Sequence, residues 1–276
     1  MLRAGKLHRR VVAVIVTAAL LTVAGCSLLS PLAMPSEPFG DFAVGEFGGI
    51  DGRQNILYVR PDGVALLVSR APAAGQFSDQ TRERLMTLLT SSQFRKEVER
   101  EAQRKSQTPV PVCADQITTQ VTMGSLSMAR TEPCGDKSEP TPAFDEIVSI
   151  VAPALGGNFD GPVESAEPRL VPMRLERLPL QDQPAYTIKV KGVGRAMITI
   201  AGRESELHTL SVEQRDTLRL LLGRLTAKPA APCTSKARYR LNVDTKPPVS
   251  AADCGFPERQ QEFRALTSLL ETAFGV

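Results

Sequence analysis

Histidine is nearly missing from this chain. There are 2 in 276 residues, and one of them, His8, lies within the first ten. A Ser-His-Asp arrangement would have to use His208, and no nucleophile-elbow sequence marks a partner for it. His208 reads as an exposed polar residue ahead of a helix cap at Ser211. Close cysteine pairs are absent too, so neither a His/carboxylate nor a four-thiolate zinc site is written here. Gly45 to Gly52 is glycine-rich but lacks the Lys-Ser/Thr of a phosphate-binding loop. Asn158-Phe159-Asp160-Gly161 is a turn, too short for a twelve-residue calcium loop. The adjacent acids Asp145 and Glu146 sit at a helix start, where negative charge is favoured anyway. No catalytic residue, metal ligand or cofactor site is assigned, and only a hydrolase working through carboxylates alone stays open.

The chain also lacks a long apolar run. Val11 to Leu21 falls short of the ~20 residues of a spanning helix. Before it stand Arg3, Lys6, Arg9 and Arg10 with no acid, and small residues follow it. A basic region, a short apolar core and a small-residue site make a secretory leader. The site, Val23-Ala24-Gly25-Cys26, resembles the lipobox of bacterial lipoproteins. That resemblance implies cleavage after residue 25, lipid on Cys26, and a location on the extracytoplasmic face of the cell membrane.

An excess of one charge is likewise missing. The full chain carries 33 basic and 30 acidic residues. The leader holds four basics and no acid, so residues 26–276 carry 29 and 30, a net charge of −1. Nucleic acid, which demands a basic surface to neutralise phosphates, is therefore not an expected partner.

What the chain does have is a repeat. Cys113 and Cys134 stand 21 positions apart, Cys233 and Cys254 do the same, and the copies are offset by 120 residues. Each pair follows proline-rich sequence and precedes an apolar helical segment. An even number of cysteines in an exported protein implies disulfides, and the repeat favours Cys113–Cys134 and Cys233–Cys254, one staple per copy.

The spacing predicts the following organisation: leader 1–25, tether 26–45, module one 46–157, linker or edge strand 158–184, module two 185–276. In module one, Ile56–Arg60 and Val64–Val68 flank Pro61-Asp62-Gly63 as a hairpin. Ser78 caps a helix with Leu85, Leu88 and Leu89 on its apolar face. Gln93 to Lys105 is almost all charged and reads as a solvated helix extension. Gln116–Val121 and Ser125–Arg130 pair about a Met123/Gly124 turn. Pro140, Thr141 and Pro142 then start a helix that carries Phe144, Ile147, Val148, Val151 and Leu155 and ends at Gly156-Gly157. In module two, Tyr186–Val190 and Ala196–Ile200 form a hairpin, and Ser211 to Gln214 is a capping box ahead of Leu218, Leu221, Leu222 and Leu225. Tyr239–Val243 is a strand, and Phe263, Leu266, Leu270 and Phe274 mark the closing helix. The order in each half is strand, strand, helix, strand, strand, helix. That order predicts an α+β fold of two repeated modules, each an antiparallel sheet of hairpins with helices packed on one face.

The pattern of Ile56–Ser69 followed by Ser78–Leu89 is similar to emfourin-type inhibitors of thermolysin-like proteases, and to domains of bacterial lipoproteins of unknown role. The disulfides, the tandem copy and the charged helix depart from the inhibitor pattern, so no inhibitory residue carries over. Duplication favours binding modules, which gain avidity from it. The leading expectation is an anchored protein that binds an envelope protein or a small ligand. The rivals are a displayed protease inhibitor, a cell-wall hydrolase and an apolar-ligand carrier.

Overall fold

The computed structural model describes residues 42–107, 115–131, 140–164, 169–179, 184–201, 203–227, 230–233, 236–246 and 248–276. Cys26, Cys113 and Cys134 lie outside these residues.

Module one runs β1 (Phe42–Gly48), β2 (Arg53–Val59), β3 (Val64–Val68), β4 (Ala73–Gln76), α1 (Asp79–Thr90), α2 (Ser92–Gln107), β5 (Ile117–Met123), β6 (Leu126–Thr131) and α3 (Pro142–Leu155). Module two runs β7 (Met173–Arg177), β8 (Tyr186–Val190), β9 (Arg195–Ile200), β10 (Arg203–Thr209), α4 (Val212–Thr226), β11 (Tyr239–Val243), β12 (Val249–Ala252) and α5 (Gln260–Phe274). The first sheet has the order β4-β3-β2-β1-β5-β6 and the second β10-β9-β8-β7-β11-β12, every pairing antiparallel. The chain is therefore an α+β protein of two copies of one topology, with α2 as the extra element of the first.

The copies agree down to single backbone hydrogen bonds. In the first, Gly63 N donates to Arg60 O, and Gly63 O accepts from Phe77 N just before the Ser78 cap. In the second, Gly194 N donates to Lys191 O, and Gly194 O accepts from Leu210 N just before the Ser211 cap. Both glycines have positive φ, 82° and 77°, where a side chain is strained. Ser78 Oγ accepts from Thr81 N, and Ser211 with Gln214 completes the reciprocal capping box.

Each copy has four strands before its first helix, not two. β1, which was not expected, and β7, which lies in the stretch read as a linker or edge strand, are both interior: β1 pairs with β2 and β5, and β7 with β8 and β11. Residues 42–45, expected as tether, thus belong to the middle of the first sheet. The proline-spaced stretch 158–184, expected as linker or edge strand, holds the middle strand of the second. Glycines interrupt β1 and Pro172 and Pro179 flank β7, so their central places are set by partners far away in sequence and not by local signals. The β5–β6 turn also lies one residue later than expected. Met123 pairs with Leu126, and Gly124 takes φ 55° at the first central position, the choice of a type II′ turn.

Packing follows from strand alternation. One face of the first sheet, with Phe42, Val44, Leu57, Val59, Ala65 and Leu67, packs on Leu85, Leu89, Phe94, Phe144, Ile147 and Val151 of α1–α3. The opposite face, with Ile56, Tyr58, Val64, Leu66 and Val68, is buried as well. What covers it is the helical layer of module two, since α4 and α5 pack against β3 and α4 against β4. Those helices are buried on two sides, and the second side of α5 meets the second sheet through Phe263–Tyr239 and Phe274–His208 ring contacts. The layers are thus helices, sheet, helices, sheet. The outer face of the second sheet carries Thr187, Lys189, Arg195, Met197 and Thr199 where the first has Ile56, Tyr58, Val64, Leu66 and Val68. Polar residues at these places end the stacking, as a capping repeat does.

Candidate functional site

Closing helix α5 is keyed on both sides by carboxylates. Glu262 and Glu271 are nine positions apart, which turns them to opposite faces of a helix with 3.6 residues per turn. The chain contains 3 tyrosines, and each donates its hydroxyl to one of these two acids. Tyr58 of the first sheet reaches Glu262 Oε1 at 3.1 Å. Tyr186 and Tyr239 of the second reach Glu271 Oε1 at 2.5 and 2.9 Å.

The Tyr58 cluster is dry. Arg224 and Glu262 are each 2% exposed and Tyr58 is 4%. Arg224 donates to Glu262 Oε1 from Nε and Nη2, both at 3.2 Å, and its guanidinium carbon lies 3.3 Å from the Tyr58 ring centroid. Buried Arg259 donates from Nη1 to the Arg224 carbonyl. Burial, and then Glu262, push the Tyr58 hydroxyl well above its ordinary value of 10.0. Burial followed by Glu271 does the same for Tyr186 and Tyr239. Arg177 sits 4.4 Å over the Tyr186 ring and 4.0 Å from Glu271. These clusters fix α5 between the sheets, which is a positioning role.

That docking leaves a cleft of about 580 Å³ at the seam of the modules. Module one supplies the β1–β2 turn, the β3–β4 turn and the end of α3; module two supplies the first half of α5. Arg53, Arg70 and Arg264 line it, with Asp51 as the carboxylate among the lining side chains. Arg53 is loosely paired, 3.6 Å from Asp51 and 3.7 Å from Glu46. Arg70 Nη2 donates to the Asp51 carbonyl at 3.4 Å, and among the described residues the Arg264 guanidinium has neither a hydrogen bond nor an ion pair. Ser268 Oγ donates to the Arg70 carbonyl at 2.7 Å and ties the two modules beside the cleft. Gln261 Oε1 is buried there with no donor. The volume falls within the range of small-ligand sites, and the charge suits an anion.

Two further carboxylates have structural work. Glu97, 1% exposed, accepts Ala143 N at 3.1 Å and Phe144 N at 3.0 Å, so α2 caps the start of α3. The charged segment is solvated along most of its surface, yet Phe94 and Glu97 are buried. Asp160 Oδ2 accepts Ser78 N and Thr81 Oγ1, both at 2.8 Å, and the Ser78 N–H holds its carboxyl below the usual range.

Cys233 and Cys254 form a disulfide with Cα atoms 5.5 Å apart. It does not bridge the β11–β12 ladder, whose pairs run from Arg240↔Ala252 to Val243↔Val249. It staples the approach to β11 to the approach to α5. His208 lies edge-on to Phe274, 5.8 Å between ring centroids, away from the cleft lining. Among the described residues no group of three or more His, Cys, Asp or Glu is placed to hold a metal. The cleft was not foreseen from sequence, because its arginines come from positions 53, 70 and 264 and share no local motif. No family model matches the chain, and no curated protein matches it either.

Proposed function

We propose that this chain is an extracytoplasmic protein held to a cell membrane by lipid on Cys26, and that it acts by binding an anionic ligand in the cleft between its modules. One observation carries the binding reading: arginines from both modules line a single cleft with one carboxylate among them. Such a site exists only when the two copies are docked, which gives the duplication a purpose beyond avidity. The anchoring reading rests on the Val23-Ala24-Gly25-Cys26 site behind a short apolar run and a basic start. Two acyl chains at ~0.8 kcal/mol per buried CH₂ suffice for stable attachment. Among the described residues no helix is long and apolar enough to cross a membrane.

The envelope-displayed protease inhibitor is the second reading. It is favoured by Ile50, 87% exposed in the β1–β2 turn at the rim of the cleft, an apolar tip of the kind that enters a partner's pocket. A hydrolase is less well supported, since paired carboxylates facing a substrate are its usual requirement.

Two experiments test the proposal. Cys26→Ser is expected to move the protein out of the membrane fraction; equal retention with wild type defeats the anchoring reading. Arg53→Gln/Arg264→Gln is expected to lose an anionic component that wild type retains from solubilised envelopes. If both proteins retain the same material, the cleft is not the binding site.

A further inference from the structure

Resting on the cleft as the binding site, we propose that its ligand is an anionic saccharide, a sugar ring carrying a carboxylate or phosphate. Two features narrow the class. Among the described lining residues three arginines, Arg53, Arg70 and Arg264, stand against one acid, Asp51, so the ligand brings negative charge. Guanidinium groups match carboxylate and phosphate oxygens in a two-pronged geometry, and the Arg264 guanidinium has no described partner to give up.

The second feature is Gln261. Its Oε1 is buried without a donor, and such an atom costs about 1–3 kcal/mol unless a ligand supplies an O–H or N–H. A fully deprotonated anion such as acetate supplies neither, and inorganic phosphate supplies an O–H without a ring to place it. Gln54 and Asn55 line the same space, and an amide both donates and accepts, as a sugar hydroxyl does. An extended acidic peptide would need a longer track than a cleft of about 580 Å³.

The test uses the full chain, labelled with ¹⁵N, and reads shifts of the Gln54, Asn55 and Gln261 side-chain amides. The probes are glucuronic acid, glucose 6-phosphate, glucose, acetate, inorganic phosphate and a Glu-Asp-Glu tripeptide. At least one charged sugar is expected to saturate these shifts at a concentration at least tenfold below glucose and below the simple anions. Comparing glucuronic acid with glucose 6-phosphate tells which anion is preferred. Gln261→Leu is expected to bring the charged sugar down to the level of the simple anion, and Arg264→Gln to weaken both its binding and its salt dependence, with Arg53 and Arg70 still in place. Glucose binding as tightly as the charged sugars overturns the proposal. So does acetate, phosphate or the tripeptide binding as tightly, or no charged sugar shifting the cleft. In that case the envelope experiment still decides the broader reading: a component lost with Arg53→Gln/Arg264→Gln keeps the cleft as a site for another anion, and no loss removes both.

Discussion

Replacing Glu262 by leucine strips a buried cluster of its only anion. Arg224, 2% exposed, would lose the acceptor of two hydrogen bonds, and Arg259, 6% exposed, would remain buried beside it. Tyr58 would lose its acceptor as well. Removing one member of a buried pair costs about 3–5 kcal/mol, because the surviving charge loses its counter-ion where water does not reach it. Tyr58→Phe leaves the ion pair whole and costs about 1 kcal/mol, the net worth of one hydrogen bond. Arg224→Met/Glu262→Leu removes both charges and recovers most of the Glu262→Leu loss, since apolar replacements of buried pairs are often neutral or stabilising; what remains is about 1–3 kcal/mol for the Tyr58 hydroxyl left without its acceptor. Urea unfolding followed by circular dichroism measures all three. A Glu262→Leu loss below about 1 kcal/mol would refute the reasoning. So would a double variant as unstable as the two singles combined, for then the cluster would be held by something other than its charges.

Two predictions concern pH. The three tyrosines have raised values in the folded state, so each favours its protonated form there; their contribution is fully present below about pH 10 and is lost as the pH rises beyond it. Because the chain has no tryptophan, absorbance at 295 nm reads tyrosine ionisation directly, and it should rise together with alkaline unfolding, not before it. Asp160 is depressed, so its contribution is present above about pH 3.8 and fades as the pH falls through the folded value. The stability gap between wild type and Asp160→Asn should therefore close between pH 4 and pH 2.

The local layer of the fold was legible in the residues. Pro61-Asp62-Gly63, the Ser78 cap, the Ser211 box and the Pro142 start each satisfy backbone groups within a few residues, so their chemistry is written side by side. β4 and β10 were missed as polar or small-residue edge strands, β1 was missed as an interior strand broken by glycines, and β7, read as a linker or edge strand among prolines, is interior. Their pairing comes from partners up to about 80 residues away. The stacking of module two's helices on the first sheet had one faint sign: Ile56 to Val59 and Val64 to Val68 are apolar on both faces, where a sheet covered on one side alternates. The cleft had none, because Arg53, Arg70, Gln261 and Arg264 look like surface residues until α5 is docked. Glu97 had none either, since a carboxylate that caps another helix looks like any acid in a charged run.

The account stands on the docking of module two's helices against the first sheet, for the cleft has no wall without it. Cys233→Ser/Cys254→Ser tests that docking most directly. Opening a loop with a sequence separation of 21 removes about 3 kcal/mol in the chain-entropy estimate and loosens the entry to α5. Amide exchange is then followed along the whole chain. Protection is predicted to fall in α4 and α5 and also in β2 and β3, whose second face those helices cover, while α1 and α3 change least. Loss confined to residues 173–276, with β2 and β3 as protected as in wild type, would contradict the shared helical layer and the cleft built on it.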